Sequence, residues 1–302
     1  MARRTATRRQ HRQRHNPAPA SAPTPTLPPA AEPVLTPTPE PPQILPPATQ
    51  PVQPLPPAPP APVPADPPSN PTPETPAPET AAPLLDAGFE KSFFNWNLAG
   101  VGDVAPSVVA DIVRSGSSSC KVVLTGSQNR SELIFGGNGG GSTSGTVKFA
   151  EGDEYYYGFS FYIDSMVYGK PGAHNLIMQF KGNDSGSPGF GLMLWDYQGH
   201  RGLWSHGQGM GGDRFLAPIA EHEWHDVVIH FEVSRVGAGS YELYLDGALI
   251  DARSQTSMLV SGATYGYIKD GLYRNGGKIP GTSEIRLDAA RLGTSFSSVA
   301  AS

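Results

Sequence analysis

From about residue 85 onward, apolar and polar side chains alternate in short runs that are separated by Gly-, Asn- or Asp-rich segments. Alternation with a period of two is typical of half-buried β-strands, and no amphipathic helix longer than about two turns is indicated. The pattern predicts strands at 119–124, 131–135, 154–163, 175–181, 190–195, 226–233, 241–245, 248–251, 265–274 and 282–292.

The clearest turn between two of these runs is Asp246-Gly247, which separates Tyr-Glu-Leu-Tyr-Leu from Ala-Leu-Ile-Asp. A type I′ hairpin turn needs positive φ at both central residues, which Asp-Gly tolerates. Many short strands joined by frequent turns favour an all-β fold, a two-sheet β-sandwich of the concanavalin-like jelly-roll type. Residues 85–296 are long enough for one such domain with a sizeable core, and 297–302 are predicted to be a C-terminal tail.

Composition divides the chain near residue 85, since 28 of the 33 prolines lie at or before Pro83 and all 35 glycines lie at or after Gly88. Residues 1–16 form a basic tail with six arginines and no acidic residue. Residues 17–84 are rich in Pro, Ala and Thr, and we expect a disordered linker of polyproline II character because too little apolar surface can be buried. At about 3.1 Å per residue it could reach on the order of 200 Å.

No apolar run follows the arginines, so the sequence predicts neither a signal peptide nor a transmembrane segment. The long linker nevertheless suits a domain that is secreted or attached to the cell envelope. Cys120 is the only cysteine, which excludes a disulfide framework, and its strand context predicts a buried small hydrophobe. The sequence predicts no metal site and no cofactor, since the His-x-x-His pair His222 and His225, read as a strand, turns its two rings to opposite faces.

The stretch Tyr-Gly-Tyr-Ile-Lys-Asp-Gly-Leu-Tyr-Arg at 265–274 carries the strongest candidate chemistry. As a strand, it places Tyr267, Lys269, Gly271 and Tyr273 on one face. We expect Gly271 to leave an open slot in which a ligand could approach the backbone. A phenol and an ammonium beside such a slot suit proton transfer next to an anion.

Two further predicted strands carry polar residues with the same period of two. Arg130 shares a face with Glu132, and Gln179 shares a face with Lys181. A concave sheet that presents these groups together with Lys269 and Tyr273 would form an anion-binding cleft. A solvated outer face is the alternative for any one segment, but three segments together favour a site.

The motifs Arg-Ser-Glu-Leu, Gln-Phe-Lys and Tyr-Ile-Lys-Asp-Gly-Leu-Tyr, in this order, resemble the three-strand signature of jelly-roll polysaccharide lyases. These are the heparin lyase I-like family with the glucuronan lyases, and the alginate lyases that share the fold. The resemblance extends over most of residues 85–296 and includes the Glu-Trp-His-Asp-Val-Val-Ile-His-Phe and Tyr-Leu-Asp-Gly segments.

The resemblance implies β-elimination in a polymer that contains uronic acid, with a 4,5-unsaturated sugar as the product. Gln179 and Arg130, with Lys181 or Lys269, would take up the charge that develops on the substrate carboxylate. Tyr273 matches the family's tyrosine and would protonate the leaving oxygen. The residues that we assign to substrate binding are Glu132, His174, Asn138, Tyr267 and Arg274.

The chain departs from that family at one position, because Gln179-Phe180-Lys181 stands where related lyases often carry Gln-x-His. Either Tyr273 acts as both base and acid, which requires neighbouring cations that favour the phenolate, or Lys181 is the base. The odd spacing from Gln179 puts His174 on the opposite face of the strand unless a bulge intervenes. His206, in a glycine-rich segment, is a weaker candidate for substrate binding.

Two other classes of function remain open at this level: a non-catalytic, lectin-like carbohydrate-binding jelly roll and a glycoside hydrolase. From Leu85 on there are 22 acidic residues against 16 Lys and Arg, so the domain is net acidic. This balance disfavours a highly sulfated polymer and favours one that carries only carboxylates, of the glucuronan or alginate type. We expect a monomer that binds an anionic polysaccharide and no nucleic acid.

Overall fold

The computed structural model describes residues 82–98, 102–141, 144–169, 173–184, 186–260 and 262–301. The predicted basic tail at 1–16, and the predicted linker up to residue 81, lie outside the described residues.

The described part of the chain folds into two antiparallel sheets. The first sheet contains β1 (Leu85–Asp86), β3 (Ser107–Val109), β4 (Ser119–Leu124), β6 (Glu154–Ser165), β11 (Trp224–Glu232), β12 (Gly239–Leu245), β13 (Ala248–Thr256) and β15 (Ser283–Gly293). The second sheet contains β2 (Phe94–Asn97), β5 (Arg130–Asn138), β7 (Asn175–Gly182), β8 (Phe190–Tyr197), β9 (His200–His206), β10 (Arg214–Ala217) and β14 (Gly266–Arg274).

The strand order shows how the chain moves between the two sheets. The first sheet runs β13-β12-β11-β6-β15-β4-β3, with β1 also paired to β15, and the second runs β10-β9-β8-β7-β14-β5-β2. Strands β5, β7 and β14 are distant in sequence but adjacent in the second sheet, with β14 in the middle. These are the strands that carry the three motifs described above.

The two sheets enclose one large apolar core, to which regular strands such as β4, β8 and β12 contribute every second side chain. Aromatic rings link the sheets, since Phe149 and Phe180 both contact Phe231 of β11 at centroid distances of 5.4 and 5.6 Å. Phe135 of β5 meets Tyr157 of β6 at 5.1 Å. The predicted two-sheet β-sandwich is therefore confirmed.

Each predicted strand is present, and the predicted turn at Asp246-Gly247 joins β12 to β13 with φ of 51° and 79°. Cys120 is fully buried, as its sequence context predicted. The pattern missed β9 and β10, whose polar and glycine-containing sequences lack regular alternation. The chain end also differs from a free tail, because Phe296–Val299 forms a short helix, α1, whose Val299 is buried.

Candidate active site

The polar residues of β5, β7 and β14 lie on one face of the second sheet, on the side away from the core. Lys269 is paired with Gln179 on one side and with Ile134 on the other, and Tyr273 is paired with Arg130. A cavity of about 660 Å³, which we call the central cavity, is lined by Arg130, Gln179, Lys181, Tyr267, Lys269 and Tyr273. The face predicted from the period-two pattern is thus assembled from three strands.

Glu132 lies beneath this face, with only 2% of its surface exposed. Gln179 Nε2 donates a hydrogen bond to Glu132 Oε1. Glu132 Oε2 is 3.0 Å from Arg130 Nε and 3.4 Å from Lys269 Nζ. A buried carboxylate with these partners fixes the positions of an amide and two cations. Its placement indicates a positioning role, in contrast to the direct substrate contact assigned from the sequence.

The charges at the central cavity leave a net positive balance. Arg130, Lys181 and Lys269 carry positive charge, whereas Glu132 and Asp184 carry negative charge. Burial lowers the pKa of Lys269, and the charge of Glu132 partly offsets this effect. The surplus of about one positive charge on a partly buried surface suits a ligand that carries one carboxylate per unit.

Lys181 is less free than its strand position suggests. Its Nζ donates to the carbonyl oxygens of Gly182 at 3.2 Å and Asp184 at 3.0 Å, and lies 3.3 Å from Asp184 Oδ1. These three oxygen atoms hold the Lys181 side chain beside Asp184. Asp184, which was not among the residues predicted from the sequence, follows the end of β7 and also lines the central cavity.

His174 faces the central cavity, contrary to what its odd spacing from Gln179 predicted. The reason is a bulge in β7: Leu176 pairs with Met193 of β8, while Met178 pairs with the adjacent Leu192. The extra residue, Ile177, shifts the alternation by one position, so the side chains before it change face. The bulge therefore brings His174 to the same side as Gln179.

The His174 imidazole lies against Tyr273, with a centroid distance of 5.3 Å in an edge-on arrangement. Among the described residues, its buried Nε2 atom has no hydrogen-bond partner. Burial lowers the pKa of His174, and the neighbouring His206 and Lys278 add to the effect. The neutral imidazole is consequently favoured, and a neutral imidazole can accept a proton.

Tyr273 is held between a cation and an apolar cluster. The Arg130 guanidinium carbon lies 4.1 Å from the centre of the Tyr273 ring, which is within the range of a cation–π contact. The Tyr273 ring also packs on a small cluster formed by Leu176, Met193, Trp195 and Trp204. The tryptophans thus support the candidate site from the side of β8 and β9.

His206 lies in the central cavity as well, at the end of β9. Its Nδ1 is 2.6 Å from Asp213 Oδ1, and its ring centroid is 6.0 Å from that of His174. His206 was only a weak candidate from the sequence and Asp213 was not a candidate, because β9 was not recognised as a strand.

Two residues assigned to substrate binding lie away from the central cavity. Arg274 is fully buried, and its guanidinium donates to the carbonyl oxygens of Gln128, Gly126 and Gly281. These contacts brace neighbouring loops, and Arg274 also lines a cavity of about 450 Å³ together with Arg130 and Tyr273. Asn138 is exposed at the far end of β5, where its side chain accepts a hydrogen bond from the Gly140 amide.

Gly271 is required for a reason that differs from the expected open slot. Its φ is 145°, and a Cβ at this position would collide with the Ser131 carbonyl oxygen of β5. The absence of a side chain therefore permits the close approach of β5 and β14.

Asp270, next to Lys269, points in the opposite direction, into the space between the sheets. The hydroxyl of Tyr157 donates a hydrogen bond to its Oδ2, while its Oδ1 finds no partner among the described atoms. Burial raises the pKa of Asp270 to about 8; the Tyr157 hydrogen bond opposes this effect, and the charge of Glu132 adds to it.

The central cavity continues at both ends of β14. A cavity of about 220 Å³ shares Tyr267 with it, and a cavity of about 450 Å³ shares Arg130, His174 and Tyr273. We call the three cavities together the β14 groove. Since β14 has nine residues, the groove follows about 30 Å of extended chain.

Within the part of the chain that the structure describes, no group of three or more His, Cys, Asp or Glu residues is arranged to hold a metal ion. No helix among the described residues is both long and apolar enough to cross a membrane.

The polysaccharide lyase family matches residues 93–290, which include every strand of the β14 groove. The chain belongs to this family, and the family implies a polysaccharide as the substrate. No curated protein matches the chain.

Several solved structures are similar to this one. They include the endo-beta-1,4-glucuronan lyase from the fungus Trichoderma reesei, with 23% identity, 65% of this chain and 89% of that chain covered, and a TM-score of 0.49. The alginate lyase Aly36B is 13% identical; the match covers 71% of this chain and 98% of that chain, with a TM-score of 0.46. The cellulose-induced protein Cip1 has 12% identity, with 70% and 97% covered and a TM-score of 0.48.

Proposed function

We propose that this polysaccharide lyase cleaves a polymer of uronic acid by β-elimination and leaves a 4,5-unsaturated sugar at the new end. Membership of the family supports lyase chemistry, and the positive surplus in the central cavity supports a substrate with one carboxylate per unit. The observation that carries the proposal is the contact between His174 and Tyr273 beside the donors gathered on Glu132.

The first requirement of the reaction is to make the proton on C5 of the sugar acidic. As this proton leaves, negative charge moves onto the adjacent carboxylate, which must be stabilised by donors already in position. Arg130, Gln179 and Lys269 supply these donors. Glu132 holds all three, so little reorganisation is needed when the charge develops.

The second requirement is a base and an acid. The His174 imidazole, kept neutral by its burial, accepts the C5 proton. The bond between C4 and its oxygen then breaks as the C4–C5 double bond forms, and the Tyr273 hydroxyl gives its proton to the leaving oxygen. Transfer of the proton from His174 back to the Tyr273 phenolate restores both groups for the next cycle.

The contact between the two rings also limits the stereochemistry. No sugar ring fits between groups whose centroids are 5.3 Å apart, so His174 and Tyr273 must approach the substrate from the same side. In D-glucuronate and D-mannuronate the C5 proton and the C4 oxygen lie on the same side of the ring. In L-guluronate they lie on opposite sides. The favoured substrates are therefore glucuronan and mannuronate-rich alginate.

The decisive experiment is incubation of the protein with polyglucuronate, polymannuronate, polyguluronate and heparin, with the absorbance of the unsaturated product followed near 230–235 nm. We expect product from the first two polymers only. Binding of these polymers without any unsaturated product would instead identify a lectin-like domain. New reducing ends without the absorbance would identify a hydrolase.

We further propose that the protein acts outside the cytoplasm, in secreted or envelope-attached form. A polymer of this kind is too large to enter a cell intact. The Pro-rich composition of residues 17–84 supports a spacer between an attachment point and the lyase domain.

A further inference from the structure

The cavity at the Tyr267 end of the β14 groove has a chemical character of its own. It has a volume of about 220 Å³ and is lined by Ile134, Thr146, Lys148, Asn183, Tyr265 and Tyr267. Because Tyr267 also lines the central cavity, a polymer that lies in the groove continues directly into this space.

Lys148 supplies a positive charge there. Its Nζ lies 4.6 Å from the centre of the Tyr265 ring, and its side chain is exposed. Among the residues that the structure describes, no carboxylate lies within ion-pair distance of this ammonium, in contrast to Lys181 and Lys269. Lys148 is therefore available to an anion that enters the groove.

The backbone on both sides of Lys148 is fixed. The Val147 amide donates to the Phe135 carbonyl at 3.2 Å, and Phe149 exchanges hydrogen bonds of 2.9 and 2.8 Å with Gly266. The segment that carries the lysine thus spans from β5 to the start of β14. A cation on such a segment loses less conformational freedom on binding than one on a free loop.

The opposite wall of this cavity is fixed in the same way. Asn183 Oδ1 accepts hydrogen bonds from the amides of Thr264 at 2.7 Å and Tyr265 at 3.2 Å. The Asn183 amide nitrogen donates to Thr264 Oγ1 at 3.0 Å. These bonds hold the Tyr265 ring at the mouth of the cavity, where a sugar ring can pack on an aromatic face.

From this arrangement we infer that the cavity is a second uronate subsite, in which Lys148 binds the carboxylate and Tyr265 and Tyr267 contact the sugar ring. The inference rests on the proposed function. It identifies Lys148 as a residue that selects for a charged sugar unit at a position away from the reacting sugar. Tyr265 and Lys269 are four residues apart, or about 13 Å of extended chain. The unit bound by Lys148 is therefore not the unit that loses its proton.

The test compares Lys148→Gln with a matched control, Lys91→Gln. Lys91 also lies near an aromatic ring, with its Nζ 5.9 Å from the centre of Phe94, but it is outside the β14 groove. We expect Lys148→Gln to raise KM for the cleaved uronan about five- to tenfold and to change kcat less than twofold. Lys148→Arg should restore KM, and Lys91→Gln should leave both constants unchanged.

A binding measurement separates this inference from the reaction itself. In the Tyr273→Phe background, Lys148→Gln should weaken binding of a uronate hexamer by a similar factor and reduce the salt dependence of that binding. If the wild-type protein forms unsaturated product but Lys148→Gln behaves like Lys91→Gln, the second subsite is wrong and the proposed function stands. If no uronan gives unsaturated product, both proposals fail.

Discussion

The Arg130 guanidinium lies 4.1 Å from the centre of the Tyr273 ring, while its Nε is 3.0 Å from the buried Glu132 carboxylate. Arg130 thus links Tyr273, the candidate acid, to Glu132, which positions the donors for the substrate carboxylate. A cation on the face of the ring stabilises the phenolate that forms when Tyr273 releases its proton. The proton-transfer and charge-stabilising parts of the site are therefore coupled through Arg130.

Removal of the Tyr273 hydroxyl should stop the reaction and leave the fold intact. Tyr273→Phe keeps the ring on its apolar cluster, so we expect kcat to fall about 10²–10⁴-fold with little change in hexamer affinity. Initial rates of unsaturated product and binding calorimetry measure the two quantities. Tyr197→Phe, in the same cluster, is the matched control and should retain full activity. Substantial activity in Tyr273→Phe would contradict the assigned acid.

His174→Gln should lower kcat about 10²–10³-fold if the imidazole is the base. His200→Gln is the control, since His200 is an exposed histidine of β9 that packs on Phe215. If His174→Gln loses only a few-fold in kcat, then Tyr273 serves as both base and acid, as the sequence alone allowed.

The pH dependence offers an independent check on His174. The base must be neutral, and burial lowers the pKa of His174 from its ordinary value of 6.5. Activity should therefore persist as the pH falls through 6.5 and be lost only below it. The acid limb of the kcat/KM profile measures this midpoint for the free enzyme. A midpoint at or above 6.5 would argue against a buried imidazole as the base.

Glu132→Gln should act on both stability and catalysis. The amide is close in shape, but it removes the counter-charge beneath Arg130 and Lys269, so we expect a loss of about 3 kcal/mol in the free energy of unfolding. Urea denaturation measures this loss, with the exposed Glu223→Gln as the control. In the fraction that folds, kcat should fall more than affinity, because the donors lose their alignment. Unchanged kcat would exclude a positioning role.

Asp270 should make the stability of the domain dependent on pH. In the unfolded chain this carboxyl ionises near pH 3.9, as for a free Asp side chain, whereas its pKa in the folded state is about 8. Between these values the folded state holds a proton that the unfolded state has released. Raising the pH over this range therefore lowers the free energy of unfolding, by up to about 1.4 kcal/mol per pH unit.

Asp270→Asn tests this dependence, because the amide stays neutral and its oxygen can still accept the Tyr157 hydrogen bond. We expect the free energy of unfolding of the variant to rise relative to that of the wild type as the pH increases from 5 to 8. Urea titrations at several pH values measure this difference. The exposed Asp196→Asn should follow the wild-type curve. Parallel curves for Asp270→Asn and the wild type would show that Asp270 is ionised in the folded protein.

Where strands are regular, the sequence was sufficient to predict which side chains share a face. Where a bulge interrupts a strand, it was not. Alternation placed Arg130 and Glu132 on one face because β5 pairs with β14 over this region without any shift in register. The position of His174 depended on the bulge at Ile177, which is defined by the pairing of β7 with β8 and is not marked by Gly or Pro. A single sequence does not reveal which neighbour a strand will have.

Three other residues show what the sequence could not predict. Arg274 follows Tyr273 directly, and it both braces neighbouring loops and lines the end cavity beside Tyr273. Asp184 and Asp213 were missed because they lie in connecting segments, just after β7 and just before β10, where periodicity gives no information. Their contacts with Lys181 and His206 arise only when the loops fold over the sheet.

The three cavities of the β14 groove combine paired strands with connecting segments. The central cavity has its floor on paired strands and part of its wall on a connecting segment that includes Asp184 and Pro188, and the end cavities draw on connecting segments through Lys148 at one end and Asp103 and Asn275 at the other. Connecting segments accept substitution and insertion far more readily than paired strands do. Such a protein can acquire a preference for a different polymer, or for a different pattern of charged and neutral sugars, while its reacting groups stay in place.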